Sequence, residues 1–85
     1  MKITVYTRTA CPYCTMAKRL LQTKGVEWHE INIDAEPDQR DAMIERSGQT
    51  TVPQIFIGDL HVGGFDEMAE LERAGKLDAL LEAGD

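Results

Sequence analysis

The sequence lacks the features that would place the chain in a membrane or on a nucleic acid. No apolar run approaches the roughly 20 residues that a transmembrane helix needs. Basic residues are not in excess, because nine Lys and Arg stand against fifteen Asp and Glu, and the formal net charge is -6. Phosphate-rich partners require an excess of positive charge on the protein. Nucleic acid and membrane surfaces are therefore not expected as partners.

The sequence as given shows no secretory signal at its start and no linker segments. Met1-Lys2 leads into alternating residues and not into the long apolar stretch of a secretory signal. There are no internal repeats and no low-complexity segments. At 85 residues we expect a single domain over residues 1–85, near the lower limit for a chain that folds on one apolar core. A soluble protein of the cytoplasm is the expectation.

Cysteine is scarce, and both copies stand close together in Thr9-Ala10-Cys11-Pro12-Tyr13-Cys14. A disulfide that closes so short a loop would stabilise the fold little, and a reducing cytosol would keep the pair as thiols. We predict Cys11 at the N-terminus of a helix, where unpaired N–H groups and the helix dipole favour a thiolate. Pro12 suits the first helical position. Cys14 would follow within the first turn, within reach of Cys11.

Two other interpretations of the cysteine pair explain less. A zinc site would need two more ligands, and the available His29 and His61 lie in predicted strands at no recognised ligand spacing, so no metal is expected. Packing of both cysteines in a core would not explain Pro12 at the helix start or Arg8 nearby. Redox chemistry is therefore the favoured interpretation.

The basic residues cluster around the cysteines. Residues 1–25 contain five basic residues and no acidic one, whereas residues 26–85 contain four basic and all fifteen acidic residues. A local positive field would favour both a thiolate and an anionic substrate. The same pattern is typical of a solvated helix face that happens to be basic. The sequence leaves both interpretations open.

Hydrophobic periodicity predicts an α/β chain. The predicted strands cover residues 2–7, 26–33, 54–57 and 60–62. The predicted helices cover residues 12–24, 37–47 and 65–74, followed by a short amphipathic turn that contains Leu77, Leu80 and Leu81. The first strand, helix and second strand form a βαβ unit with parallel strands. Gly58-Asp59 turns the last two strands into an antiparallel hairpin.

The second predicted strand has an irregular pattern. Val26 and Trp28 lie in one phase of the alternation, and Ile31 and Ile33 lie in the other. This pattern predicts either a strand that is buried on both faces or a bulge within it.

Three motifs resemble those of one family. Cys11-Pro12-Tyr13-Cys14 is the signature tetrapeptide of dithiol glutaredoxins, Thr51-Val52-Pro53 resembles their T-V-P loop, and Gly63-Gly64-Phe65-Asp66 resembles their G-G-x-D segment. The motifs occur in the family's order, and the match covers essentially the whole chain, which resembles the small bacterial glutaredoxins. The resemblance implies a thioredoxin-like fold of βαβ-α-ββα order, with a four-stranded mixed sheet flanked by helices.

The resemblance also implies an activity. Glutaredoxins reduce protein disulfides and glutathione mixed disulfides, with glutathione as a co-substrate and no permanently bound cofactor. Cys11 would be the nucleophile and Cys14 the resolving thiol, and the two would form the redox-active disulfide. The implied partners are glutathione and disulfide-containing or glutathionylated proteins such as ribonucleotide reductase, and the implied state is a monomer.

The implied glutathione site comprises Arg8, Tyr13, Thr51, Val52, Pro53, Gly64, Phe65 and Asp66. Arg8 stands where the family usually has Lys, and could pair with the glycine carboxylate. In the family the proline of the T-V-P loop is cis, whereas the sequence alone permits a trans edge proline. Asp66 could bind the γ-glutamyl ammonium or cap the helix, and Phe65 could be a contact or a core residue. Gln49 and Arg40 are weaker candidates for the glycine carboxylate; His29, His61, Trp28 and the methionines are interpreted as structural.

Two alternative functions remain. One is a thioredoxin-like electron donor that a flavin reductase recharges. The other is a carrier that holds an iron-sulfur cluster between two subunits through Cys11 and glutathione. In glutaredoxins the second role usually goes with a C-G-F-S motif, so Pro12 and Cys14 argue against it.

Overall fold

The computed structural model describes residues 2–83. In chain order the elements are β1 (Ile3–Thr7), α1 (Pro12–Thr23), β2 (His29–Asn32), α2 (Asp38–Ser47), β3 (Gln54–Ile57), β4 (Leu60–Gly63), α3 (Phe65–Arg73) and α4 (Leu77–Ala83). The strands form one sheet in the order β2-β1-β3-β4. β1 pairs with β2 in parallel and with β3 antiparallel, and β3 pairs with β4 antiparallel. The predicted mixed sheet and thioredoxin-like arrangement are confirmed.

The central strands are buried on both faces of the sheet. All five residues of β1 and all four of β3 are buried, which explains their nearly continuous apolar sequence. One face carries the larger core, formed with α1, α3 and α4 by Ile3, Val5, Ala17, Leu21, Ile55, Ile57, Met68, Leu77 and Leu81. On the other face, Met43 of α2 packs against Tyr6 and Phe56. The sheet therefore lies between two layers of helices.

β2 is shorter than predicted, and the prediction of a strand over 26–33 is wrong at both ends. Its parallel pairing runs only from Thr4 opposite His29 to Thr7 opposite Asn32, so residues 26–28 have no partner strand among residues 2–83. Val26 and Trp28 pack against the larger core, whereas Ile31 and Ile33 pack against the α2 side. The two phases in the sequence therefore reflect a loop followed by a strand.

Helix bounds differ from the predictions by a residue or so. Pro37 is the N-cap of α2 and not its first helical residue, and α3 ends at Arg73 instead of residue 74. Gly48 ends α2 with φ +71°, in the left-handed region that glycine adopts without steric cost. Within residues 2–83, no helix is long and apolar enough to cross a membrane.

Candidate active site

The cysteine motif lies at the junction between β1 and α1. Cys11 is the N-cap of α1, and Pro12 is the first helical residue, as the sequence predicts. The backbone N–H of Cys14 donates a hydrogen bond to the Sγ of Cys11, with an N–S distance of 3.2 Å. Both cysteines are free thiols. The helix start therefore offers an N–H donor directly to the sulfur of Cys11.

The two sulfurs lie in different environments. Cys11 retains 8% of its surface exposed, whereas Cys14 retains 2%. Burial, assisted by the side-chain hydrogen bond with Cys11, raises the pKa of Cys14 to about 12. Cys14 is therefore a neutral thiol near pH 7, and Cys11 is the sulfur that is suited to attack a disulfide.

Ala10, directly before Cys11, has an unusual backbone conformation. Its φ is +56°, in the left-handed region that residues with a Cβ adopt only at a steric cost. Its neighbour is held in place, since the Thr9 backbone N–H donates to Oδ2 of Asp34 at 2.9 Å. The backbone therefore turns sharply at Ala10, directly before Cys11 at the start of α1.

Glu30 connects three elements beside the motif. Its Oε2 accepts a hydrogen bond from Oγ1 of Thr7 at 2.7 Å and lies 3.1 Å from Nζ of Lys18. Partial burial opposes ionisation of Glu30, but the hydrogen bonds from Thr7 and Lys18 outweigh it and lower the pKa of the carboxyl. This contact ties the end of β1, the middle of α1 and the edge strand β2 together around the cysteines.

One cleft lies between the cysteine motif and the start of α3, and we call it the α3 cleft. Its volume is about 180 Å³. It is lined by Tyr13, Gln49, Thr51, Val52, Pro53, Gly64, Phe65, Asp66 and Glu67. The Val52-Pro53 peptide bond at its edge is cis. The cleft thus contains every predicted glutathione-site residue except Arg8.

A second cleft, the arginine cleft, adjoins the first. Its volume is about 340 Å³, and Arg8 and Arg40 both line it. Thr50, Ile33 and Asp34 complete its lining together with Thr51 and Val52. The two clefts therefore share Thr51 and Val52. Arg8 precedes Cys11 by three residues and Tyr13 follows it by two, so the chain on the two sides of the nucleophile contributes to different clefts.

The start of α3 forms one wall of the α3 cleft. Gly64 is the N-cap, so Asp66 stands in the first turn and the alternative that Asp66 caps the helix is wrong. The Gly64 N–H donates to Oε1 of Glu67 at 2.7 Å. A Cβ at Gly63 would lie 2.8 Å from that Oε1, and Gly63 also has φ +115°. A Cβ at Gly64 would lie 3.3 Å from the same Oε1 and 3.4 Å from the carbonyl oxygen of Pro53. A side chain at either glycine would therefore crowd the Glu67 carboxylate that accepts from the helix start.

Two aromatic rings flank the α3 cleft. Tyr13 is 57% exposed, and its ring centroid lies 6.3 Å from that of Phe65 with an interplanar angle of 38°. Phe65 is half-buried and also packs against the larger core, so it acts both as a core residue and as part of the cleft wall. Beyond Phe65 lies a larger groove of about 750 Å³; like those of the two clefts, its lining contains neither cysteine.

Sequence reasoning missed or misplaced several residues of the site. The sequence predicts the same role for Gln49 and Arg40, but Gln49 lines the α3 cleft and not the arginine cleft. Glu67 could have been found, because an acidic residue three positions after a helix N-cap is typical of a capping interaction. The sequence does not indicate a role for Gln54, the residue after Pro53, because one polar residue at the start of an apolar strand is not unusual.

The fold and the cysteine pair together define a class of protein. Three features of the site are typical of a dithiol oxidoreductase with a thioredoxin-like fold. They are a reactive cysteine at a helix start, a buried second cysteine within the first turn, and a loop with a cis-proline beside them.

Comparisons with known proteins identify the family. The Glutaredoxin family model matches residues 3–62. A glutaredoxin of Pseudomonas aeruginosa is 56% identical over 81 residues, covering 95% of this chain and 96% of that protein. The solution structure of a Brucella melitensis glutaredoxin is 53% identical with TM-score 0.85, covering 100% of this chain and 92% of that one. The crystal structure of a buckwheat glutaredoxin-glutathione complex is 36% identical in sequence, with TM-score 0.89, and the match covers 96% of this chain and 77% of that one. This chain belongs to the glutaredoxin family and is a thiol-disulfide oxidoreductase.

Proposed function

We propose that this protein is a glutathione-dependent oxidoreductase that reduces glutathione mixed disulfides and protein disulfides. The observation that carries the proposal is the pair of clefts that share Thr51 and Val52. One cleft contains two arginines, and the other ends at the N-terminus of α3. A ligand that spans both would have an anionic group at each end and an extended middle.

Glutathione has this chemistry, because it is an extended tripeptide with two carboxylates and one ammonium. Arg8 and Arg40 suit the glycine carboxylate, since guanidinium groups bind carboxylates with paired hydrogen bonds. The unpaired N–H groups of the first turn of α3 suit the γ-glutamyl carboxylate, and the Asp66 side chain suits the ammonium. Between them, the backbone of Thr51 to Pro53 can pair with the cysteinyl residue as an added strand would. The buckwheat relative, solved as a glutathione complex, supports glutathione as the ligand.

The first proposed reaction is removal of glutathione from a protein. The Cys11 thiolate attacks the glutathione sulfur; the Cys11-glutathione S–S bond forms, the protein-glutathione bond breaks, and the leaving protein thiolate takes a proton from water. The thiolate of a second glutathione then attacks the bound glutathione sulfur and releases Cys11. The net reaction converts one mixed disulfide and one glutathione thiol into one protein thiol and one glutathione disulfide.

The second proposed reaction is reduction of a protein disulfide. Cys11 attacks one sulfur of the substrate, and Cys14 then attacks the Cys11 sulfur of the mixed disulfide. The substrate leaves as a dithiol: the thiolate released by the attack of Cys11 takes a proton from water, and the thiolate released by the attack of Cys14 takes up the proton that Cys14 gives up. Two glutathione thiols reduce the Cys11-Cys14 bond and become glutathione disulfide. Cys14 is needed for this reaction and not for the first.

The setting of this activity is also part of the proposal. A thiol pair that works by cycling with glutathione requires a reducing compartment, so we place the protein in the cytoplasm. A monomeric state and ribonucleotide reductase as a substrate stay predictions.

A glutathione-coupled assay tests the proposal. The parent protein and the Cys11→Ser and Cys14→Ser variants would be given a glutathionylated peptide or a disulfide-containing protein, with glutathione reductase and NADPH reporting the glutathione disulfide formed. We expect Cys11→Ser to lose both activities, and Cys14→Ser to lose only protein-disulfide reduction. Absence of turnover of the glutathionylated peptide by the parent protein, together with reduction of the disulfide protein by a flavin reductase, would overturn the proposal.

A further inference from the structure

Gln54 is a fully buried amide whose polar atoms all have partners. Its Nε2 donates to the Thr51 carbonyl oxygen at 3.0 Å and to Oε1 of Gln49 at 3.0 Å, with Oγ1 of Thr51 at 3.3 Å as a weaker third contact. Its Oε1 lies 2.7 Å from Nε2 of His61. The residue that follows Pro53 thus reaches back to the residue that lies two positions before that proline.

The chemistry of the partners determines the orientation of this amide. The carbonyl oxygen of Thr51 only accepts hydrogen bonds, so the NH₂ group of Gln54 must face it. The Oε1 of Gln54 then faces His61, whose Nε2 must carry a hydrogen and donate it. A flipped amide would place two acceptor oxygens against each other at Thr51. The network therefore has one self-consistent arrangement within the described residues.

His61 is itself held in position. Its ring stacks on Phe56 with centroids 4.8 Å apart and an interplanar angle of 26°. Phe56 belongs to the core on the α2 side of the sheet and carries the Arg46 guanidinium 4.0 Å above its ring. The position of the Gln54 amide is therefore set by the sheet and not by the loop that it contacts.

A buried amide at this place has no advantage for packing alone. An apolar side chain of the same length would fill the space without the cost of burying polar atoms, which is recovered only when each is hydrogen-bonded. Two of the contacts made by Nε2 go to Thr51, which lines both clefts, and the third goes to Gln49, which lines the α3 cleft. We propose that Gln54 is a positioning residue that holds the Thr51–Pro53 segment in the conformation that binds glutathione, with His61 fixing the orientation of its amide.

This inference rests on the proposed function and makes a kinetic prediction. Gln54 touches neither cysteine in any of its hydrogen bonds. Its loss should therefore weaken recognition of the glutathione moiety and leave the reactivity of Cys11 unchanged. We expect Gln54→Met to raise the KM for a glutathionylated peptide about tenfold, the effect of leaving one buried hydrogen-bonding group unpaired, with kcat within about twofold.

The experiment uses the Cys14→Ser background, so that only the glutathione reaction is measured. Each variant is assayed with a glutathionylated peptide and with the same peptide carrying cysteamine in place of glutathione. The rate of Cys11 alkylation by iodoacetamide is measured in parallel, because that reaction needs no glutathione site. Gln54→Met should lose the preference for the glutathionylated peptide while its alkylation rate is unchanged. Ile57→Val, on the same strand and buried, is the matched control that perturbs packing and should not change the KM.

The possible outcomes are separable. If the background protein alkylates normally but does not turn over the glutathionylated peptide, the proposed function fails first. If that protein works and Gln54→Met keeps the parent KM, or if Gln54→Met slows alkylation to the same extent as turnover, the positioning role is wrong. Should Gln54→Met not fold, His61→Phe removes the hydrogen bond to Gln54 and keeps a ring against Phe56. A KM raised about threefold in that variant would support the role, and an unchanged KM would refute it.

Discussion

The backbone N–H of Cys14 donates to the Sγ of Cys11 while the Cys14 thiol itself is almost completely buried. The same residue therefore serves the nucleophile in two ways. Its backbone donates a hydrogen bond to the Cys11 sulfur, and its side chain is a neutral thiol close to the sulfur that it attacks in the proposed reduction of protein disulfides. A helix N-terminus makes both possible, because residue three of the first turn points its N–H back towards the cap.

The first prediction concerns alkylation of the two thiols. With a pKa of about 12, Cys14 has only about one part in ten thousand of thiolate at pH 8. The thiolate is the reactive form, so iodoacetamide should label Cys11 much faster than Cys14 up to about pH 9. Labelling of each cysteine would be measured by mass spectrometry of peptides after timed quenching.

The control is the same labelling in denaturant, where both cysteines are exposed and should react at similar rates. Burial is the largest cause of the raised pKa, so protection of Cys14 should persist in the Cys11→Ser variant. Labelling of Cys14 in the folded protein as fast as in denaturant would contradict the assigned asymmetry.

The fold was largely predictable, because its elements carry strong local signals. Pro12 marks the start of α1 and Gly48 the end of α2, and the apolar runs of β1 and β3 mark the central strands. The predicted second strand is longer than β2 because Val26 and Trp28, which precede β2, are also apolar. Among the described residues these two pack against the larger core without pairing to a strand. Periodicity reports burial, and burial alone does not distinguish a strand from a packed loop.

The residues of the site could be predicted only where they belong to a recognisable sequence motif. The cysteine, T-V-P and G-G-x-D motifs led to residues that the structure brings together around two clefts. The supporting contacts are different, because Gln54 meets Thr51 and His61 through side chains that leave no pattern in the sequence. Arg40 joins Arg8 in the arginine cleft from α2, and that proximity follows from the three-dimensional packing.

The second prediction concerns the arginine cleft. Arg8→Gln and Arg40→Gln should each lower kcat/KM for a glutathionylated peptide by about three- to tenfold, because each removes a guanidinium from the proposed carboxylate site. Both arginines are exposed, so the loss should shrink as salt is added and the Debye length falls. Steady-state kinetics at two ionic strengths would measure both effects.

Arg19→Gln is the matched control for this prediction. Arg19 is an exposed basic residue of α1 that lines neither cleft. Its replacement removes the same charge from the same basic region and should change kcat/KM by less than twofold. An equal loss in all three variants would mean that the overall basic field, and not the cleft, attracts the substrate.

The third prediction concerns the backbone at Ala10. Its φ of +56° costs about 1–2 kcal/mol for a residue with a Cβ, and Ala10 is exposed, so its methyl group contributes little packing. Glycine removes that cost but adds about 0.4–1 kcal/mol of conformational entropy to the unfolded chain. Ala10→Gly should therefore leave the free energy of unfolding unchanged or raise it by up to about 1.5 kcal/mol. Urea denaturation would measure the change.

Ala42→Gly supplies the comparison for Ala10→Gly, because Ala42 lies inside α2. There the same substitution should lower the free energy of unfolding by about 1 kcal/mol, since glycine disfavours a helix interior. Opposite responses at the two alanines would show that the chain before Cys11 is held in the left-handed region by its surroundings. Equal destabilisation at both positions would mean that Ala10 does not adopt this conformation in solution, and that the turn before the nucleophile carries no steric cost.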